Sequence, residues 1–303
     1  MQVAQSVLDL IGQTPVLELH PEALPGGVRL FAKLEYCNPG GSVKDRLGRH
    51  IIEQALRTGK LRPGGTLIEP TAGNTGIGLA LAAVGKGLRV IMVVPEHFSK
   101  EKQGLMRALG AEIVSTPRSG GMETAIAEAH RLAGELGGYV PQQFANPANP
   151  EAHYLSTGPE LYEQLDGQID AFVAGAGSGG TLTGVARYLR EQNPRVRIVL
   201  VEPEGSVFGG GAAGSHRVEG IGNEFVPETL DMSLIDRVET IPDEESFAAV
   251  KELARTFGVL AGGSSGAAYV ACLRTAAAMG RGNIATIFPD SSERYMSKGI
   301  YDD

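Results

Sequence analysis

One lysine and four glycine-rich turns stand out among the 303 residues for the chemistry they could do. Lys44 lies in "NPGGSVKDR" (38–46), where Pro39, Gly40 and Gly41 break the preceding element and Ser42 can cap a helix. A lysine in the first turn of a helix is poorly placed for stability, because the helix N-terminus carries partial positive charge. The same field favours the neutral amine, which suits a Schiff-base or general-base lysine. A solvated lysine paired with Asp45 is the plainer alternative, and this segment taken alone favours it.

The second turn is "EPTAGNTGIGLALAA" (69–83): a strand end, a Thr/Gly/Asn turn and an apolar helix of small residues. Backbone N–H groups over 71–75 are expected to point outward there, a geometry that binds carboxylate or phosphate. The Asn74 amide can donate to a phenolic or carboxylate oxygen. Its alternative is a left-handed asparagine in a tight turn. The third turn, "VAGAGSGGTLTG" (173–184), again follows a strand and opens a helix. Gly177, Ser178, Gly179, Gly180 and Thr181 could wrap a phosphate with backbone N–H groups and two hydroxyls. No lysine follows, so it is not a Walker A loop. It also satisfies G-x-G-x-x-G through Gly175, Gly177 and Gly180, with Glu202 ending the next strand, so a dinucleotide site is a competing reading. The fourth turn, "LAGGSSGAAYVA" (260–271), offers Ser264 and Ser265 as helix caps or as partners for a ligand ring nitrogen. Two further segments are Gly220, Ile221 and Gly222, which could flex over a pocket, and "PDSSERY" (289–295), where Asp290 and Glu293 read as a capping box.

Positioning these turns takes a strand before most of them and a helix after each. Apolar runs predict strands over 29–35, 66–70, 88–95, 111–115, 170–175, 196–203 and 283–289, and helical patterns cover 99–109, 122–136 and 243–257. Buried strands alternating with helices imply parallel sheets and an α/β fold of the doubly wound kind. The Pro-, Asn- and Gln-rich "PQQFANPANPEAHY" (141–154) breaks the rhythm, so a division is placed there, giving domains 1–147 and 148–303.

Composition narrows the function. Glycine fills 42 of 303 positions without a G-X-Y period, close to twice the usual share of about 7%. Its clustering in short loops points to backbone that approaches ligands closely. A net charge of −8 argues against nucleic acid or an anionic membrane as partner. There is no long apolar run and no signal-peptide pattern, and two cysteines, Cys37 and Cys272, fit a reducing compartment, so a cytoplasmic protein is expected. The six histidines show no ligand spacing, and no protein-bound metal is expected.

Taken together, these segments resemble the cysteine synthase family of fold-type II pyridoxal-phosphate enzymes, which includes cystathionine β-synthase. The likeness runs from "LIGQTPVLEL" (10–19) to "PDSSERY", and "SVKDR", "TAGNTG", "QFANPANP", "GSGGT" and "GGSSG" occur in the family's order and spacing. The resemblance implies a tryptophan synthase β-like architecture: two doubly wound α/β domains with mostly parallel sheets. The first would carry the cofactor lysine and substrate-carboxylate loop, with the opening ~35 residues able to pack on the second. The cofactor it implies is pyridoxal 5'-phosphate, bound covalently by Lys44, with Asn74 on the ring hydroxyl. Gly177, Ser178, Gly179, Gly180 and Thr181 would hold its phosphate, and Ser264 would face the pyridine nitrogen. Thr71, Ala72, Gly73, Asn74, Thr75 and Gln143 would hold the substrate α-carboxylate, while Gly220, Ile221 and Gly222 line the site. The implied reaction is β-replacement on an activated serine, O-acetylserine first among the candidates. Sulfide would give cysteine and homocysteine would give cystathionine, with ping-pong kinetics. A homodimer and a serine acetyltransferase partner belong to the same expectation.

The chain departs from the family's commonest pattern in two places. Ala72 stands where many relatives have serine, and Gly40 with Gly41 replaces a pair that often contains alanine. Ala72 removes a hydroxyl near the substrate carboxylate, which shifts its binding onto backbone N–H and Thr71 or Thr75. The two glycines leave more room near the lysine, and together these lean toward a bulkier thiol such as homocysteine. The competing readings are another fold-type II lyase, such as a serine/threonine deaminase, and a nicotinamide-dependent oxidoreductase. "SVKDR" and the Gln143 segment argue against the first, and the second leaves Lys44, Asn74 and Ser264 without a purpose.

Overall fold

The computed structural model describes residues 3–71, 73–96 and 98–302, so Ala72 lies outside the described residues. In chain order the regular elements are β1 Val16–Leu19, β2 Val28–Leu34, α1 Lys44–Arg57, β3 Thr66–Pro70, α2 Asn74–Ala83, β4 Arg89–Pro95, α3 Lys100–Ala108, β5 Glu112–Thr116 and α4 Gly121–Leu136. They continue with α5 Ala148–Ala152, α6 Gly158–Gln164, β6 Ala171–Gly175, α7 Gly180–Gln192, β7 Arg197–Pro203, β8 Arg237–Ile241, α8 Asp243–Phe257, α9 Gly263–Met279 and β9 Gly282–Phe288. A π-helical turn, His153–Thr157, joins α5 to α6.

Two compact units divide the chain: one holds Met1–Ile11 and Asn38–Ala148, the other Gly12–Cys37 and Asn149–Asp303. The first is built on a parallel three-stranded sheet, β3-β4-β5. Its middle strand is apolar and buried from Val90 to Pro95, as a strand covered on both faces must be. A parallel bridge from Leu67 to Tyr139 extends the β3 edge. Helix α2 is buried along almost its whole length, which its run of Gly, Ala, Ile and Leu permits.

The second unit carries a six-stranded sheet, β1-β2-β9-β6-β7-β8, parallel except where β1 meets β2. Helix α9 packs its small-residue face, from Ala267 through Ala271 to Ala276, into the core beside Val173, Ile284 and Phe288. This is the doubly wound, mostly parallel α/β architecture. Each of the seven strands expected from apolar runs is present, with ends within one residue. Strands β1 and β8 were not expected. β1 spans only four residues, and β8, "RVETI", alternates charged with apolar side chains.

Candidate active site

In the first unit, α1 starts at Lys44 itself. The N-cap position falls on Val43 without a side-chain cap, and the Ser42 hydroxyl accepts the Lys44 N–H at 3.3 Å from one residue further out. Ser42 therefore supports the helix start without being its formal cap. The fully buried Asp45 turns back to accept the Gly40 N–H at 2.5 Å. A Cβ at Gly40 would sit 2.5 Å from that carboxylate, so a larger residue there would have to shift the Asp45 side chain.

Helices α1 and α2 meet backbone to backbone. A Cβ at Gly48 would lie 2.3 Å from the Gly78 carbonyl carbon, and one at Gly78 would lie 2.3 Å from the Lys44 carbonyl oxygen. This contact sets the first turn of α1, with Lys44, against the opening of α2, with Asn74. Asn74 is the first residue of α2, and the non-glycine residues with positive φ are Gln13, Gln142 and Asp166 among the described residues, so the left-handed alternative falls.

The 71–75 turn differs from expectation in one respect. The Thr71 N–H donates to the Val93 carbonyl at 3.1 Å and the Gly73 N–H to Thr71 Oγ1 at 3.3 Å. The first bond ties the turn to β4 and the second closes the turn on itself, so neither N–H points outward as expected. The Thr75 hydroxyl donates to Gln143 Oε1 at 2.7 Å, with both residues buried. That bond puts the amide oxygen on Thr75 and makes the NH2 end of Gln143 its donor.

Sequence reasoning missed Glu69, which is 1% exposed at the end of β3. Its carboxyl accepts the Gln142 N–H at 3.3 Å. Burial pushes its pKa up to about 8, against the pull of the Gln142 and Gln143 N–H groups. The signal that could have found it is an acid one residue before the proline that ends an otherwise apolar strand.

In the second unit, β6 ends at Gly175 and α7 opens at Gly180, with Gly179 in the left-handed region at φ 79°. The first N–H groups of α7 have no carbonyl of their own helix to bond. Three glycines form a cradle: a Cβ would meet Gly220 O at 2.3 Å from Gly177, Leu230 Cβ at 2.4 Å from Gly179, and Asn149 Oδ1 at 1.9 Å from Gly180. Ser178 Oγ accepts from Asn149 Nδ2 at 2.9 Å, and Thr181 Oγ1 lies 3.1 Å from Nε2 of the fully buried His153. The segment read as a domain divider thus supplies Gln143 to the 71–75 turn of one unit, and Asn149 and His153 to the glycine loop of the other. These donors suit a phosphate held without a buried arginine.

Gly220 and Gly222 have φ of 88° and 81°, and the Gly222 N–H donates to the Ala176 carbonyl at 2.8 Å. Ile221 is core: a Cβ at Gly175 would meet its Cγ2 at 2.5 Å. What this loop can offer a ligand is therefore backbone. Ser264 and Ser265 lie inside the first turn of α9, whose N-cap position is Gly262 without a side-chain bond, so the capping alternative falls. Asp290 and Glu293 form no capping box; Asp290 instead accepts the Tyr295 hydroxyl at 2.5 Å. Glu202 is committed as well. It accepts the Phe208 and Gly209 N–H groups at 2.9 and 3.0 Å and the Thr240 hydroxyl at 2.9 Å, which removes it as a ribose partner and weakens the dinucleotide reading.

Neither cysteine is set up as a nucleophile. Burial pushes the Cys272 thiol up to about 12 and also raises Cys37. Among the described residues, no group of three or more His, Cys, Asp or Glu could hold a metal ion, and no helix is long and apolar enough to cross a membrane.

A glycine cradle at a helix start, a lysine at another and an asparagine turn beside it are the parts of a cofactor-dependent α/β enzyme. The pyridoxal-phosphate dependent enzyme family model matches residues 7–290, and the chain belongs to that family. It is 53% identical over 304 residues to the O-acetylserine dependent cystathionine beta-synthase of Bacillus subtilis, covering 100% of this chain and 99% of that one. It is 49% identical to a cysteine synthase of Helicobacter pylori, covering 99% of this chain and 100% of the relative. Among solved structures, an O-acetylserine dependent cystathionine beta-synthase from Helicobacter pylori matches with TM-score 0.93 at 50% identity, over 99% of this chain and 100% of that one. The cofactor is pyridoxal phosphate, and the donor set of each unit fits it.

Proposed function

We propose that this enzyme replaces the β-substituent of O-acetylserine with a sulfur nucleophile, sulfide giving cysteine and homocysteine giving cystathionine. The observation that carries the reading is Lys44, which opens α1 against the turn that opens α2. It stands in a chain alike over its whole length to enzymes named for this donor and these products.

The bound cofactor supplies an electron sink that acidifies the substrate Cα–H. In this reading Lys44 Nζ would hold the cofactor covalently until the substrate amine displaces it, and the freed amine would take the Cα proton as general base and later return it to the same carbon. The Asn74 amide orients the cofactor ring through its hydroxyl oxygen. The N–H groups of Gly177, Ser178, Gly179, Gly180 and Thr181, with the two hydroxyls, hold the phosphate. Ser264 would give the ring nitrogen a neutral hydrogen-bonding partner in place of a charged one. The Thr71 hydroxyl, Asn74, Thr75 and the NH2 end of Gln143 take the substrate α-carboxylate, and Gly73, whose N–H is bonded to Thr71 Oγ1, gives the turn its shape. Backbone at Gly220 and Gly222 lines the site.

Ala72 and the Gly40–Gly41 pair favour the larger thiol, homocysteine. The same reading makes the protein a cytoplasmic homodimer and a candidate partner for a serine acetyltransferase.

The test is direct. Purified protein absorbs visible light, and borohydride fixes the cofactor on Lys44. Lys44→Ala loses carbon–sulfur bond formation by about 1000-fold or more. A variant that keeps the parent rate overturns the mechanism. Turnover of O-acetylserine with sulfide and with homocysteine then decides the acceptor, and equal rates remove the preference for homocysteine.

A further inference from the structure

Glu69 has no role in the steps above, yet it is buried one residue before Pro70, where β3 runs into the carboxylate turn. Its Oε2 accepts the Gln142 N–H at 3.3 Å, and the Gln143 N–H also bonds the carboxyl. Gln142 holds φ 57°, a conformation costly for a residue with a side chain, so this turn needs an outside tie. The next residue, Gln143, accepts the Thr75 hydroxyl. The connections close a ring: from the Glu69 carboxyl to the backbone of Gln142 and Gln143, through the Gln143 side chain to Thr75, and back along the chain to Glu69.

We propose that Glu69 is a positioning residue for the amino-acid substrate: by tying the backbone of Gln142 and Gln143 to the end of β3, it sets Gln143 against Thr75 and so sets the affinity of the 71–75 turn for the substrate α-carboxylate. This rests on the reading of that turn and Gln143 as the carboxylate site. The charge state fits the role. Burial holds Glu69 neutral near pH 7, so it accepts hydrogen bonds without placing a second negative charge beside a bound carboxylate. As pH passes about 8 it ionises, and like-charge repulsion weakens substrate binding. Two other titratable groups face this ring. Tyr139 bonds the Asn146 amide at 3.2 Å, and His130 of α4 places Nε2 3.4 Å from Gln142 Nε2. Comparing variants at position 69 alone keeps both of these constant.

The experiment titrates holoenzyme with L-serine, followed by cofactor absorbance, and measures KM for O-acetylserine and for sulfide across pH. Glu69→Leu weakens L-serine binding and raises the KM for O-acetylserine about tenfold, while the KM for sulfide and the cofactor content hold within about twofold. Glu69→Gln keeps the parent's affinity near pH 7 and lacks the rise in the KM for O-acetylserine that the parent shows above pH 8. The Gln arm stands by itself if the Leu variant does not fold. Parent affinity for L-serine in Glu69→Leu overturns the proposal, as does an alkaline KM profile that is the same in Glu69→Gln and the parent. Gln143→Ala separates the two levels. Unchanged L-serine affinity there sinks the carboxylate site and the proposal with it, whereas weakened affinity there, with parent affinity in Glu69→Leu or a parent-like alkaline profile in Glu69→Gln, sinks the proposal alone.

Discussion

The Glu69 carboxyl, with a pKa near 8 against an ordinary value of 4.5, makes stability depend on pH in a definite direction. Between those values the folded protein keeps a proton that the unfolded chain has released. The stability this group contributes is therefore full below pH 4.5, falls as pH rises, and levels off above 8. The slope is at most about 1.4 kcal/mol per pH unit, the value for a single proton. Glu69→Gln removes that slope. Its melting temperature relative to the parent should climb between pH 5 and 8 and then stay flat. Thermal melts of both proteins at pH 5, 7 and 9 check this, and a gap that does not vary with pH contradicts the burial argument. An acid before the proline that ends an apolar strand marks Glu69, but its partners are hidden, because nothing along the chain reveals that 142 and 143 return to the end of β3. Lys44, Asn74 and the glycines of 177–181 stand out in the sequence for the opposite reason: their turns are local, and the residue types demand an explanation within a few positions.

At the scale of elements, glycine sets how close two helices come. α1 and α2 touch through Gly48 and Gly78, where an added Cβ would sit 2.3 Å from backbone atoms. Backbone cannot yield as the end of a flexible side chain can, so the helices themselves must part. Gly78→Ala should destabilise the protein by about 2–3 kcal/mol and displace the first turn of α1, with loss of bound cofactor. Gly104→Ala is the matched control, since no atom lies within 4 Å of a Cβ there. Cofactor absorbance and a denaturant melt of both variants test it; equal melts would mean the contact carries no constraint. The sequence displays the strands of the sheets because apolar runs are sufficient for strands buried on both faces. It hides β8, where Arg237 and Glu239 pair with each other at 2.6 Å on a strand at the sheet edge. It also misleads at helix starts. Ser264, Ser265 and Asp290 have the right types for caps, but tertiary partners decide where the first turn begins, and glycine takes the cap position of α9.

At the scale of the molecule, the second unit is assembled from two separate pieces of chain, Gly12–Cys37 and Asn149–Asp303. The short piece is not an appendage. It supplies β2, which lies between β1 and β9 in the six-stranded sheet, with Leu30 and Ala32 fully buried. It also supplies Lys33, fully buried, whose Nζ is 3.0 Å from Glu160 Oε2 and 2.8 Å from Gln164 Oε1 of the long piece. A fragment of residues 149–303 therefore exposes the edge of β9, strips cover from the core and leaves Glu160 without this cation. Exposed strand edges invite association between chains. That fragment should aggregate or melt without cooperativity. Joining 12–37 to 149–303 through a long Gly/Ser linker restores strand, cover and ion pair together, and should restore a cooperative thermal transition by circular dichroism. Lys33→Met in the joined chain separates strand from charge. It should keep the transition but lower its midpoint, because β2 still seats while Glu160 has lost its ammonium partner. A sharp transition in 149–303 alone would show that the unit does not need its N-terminal strands.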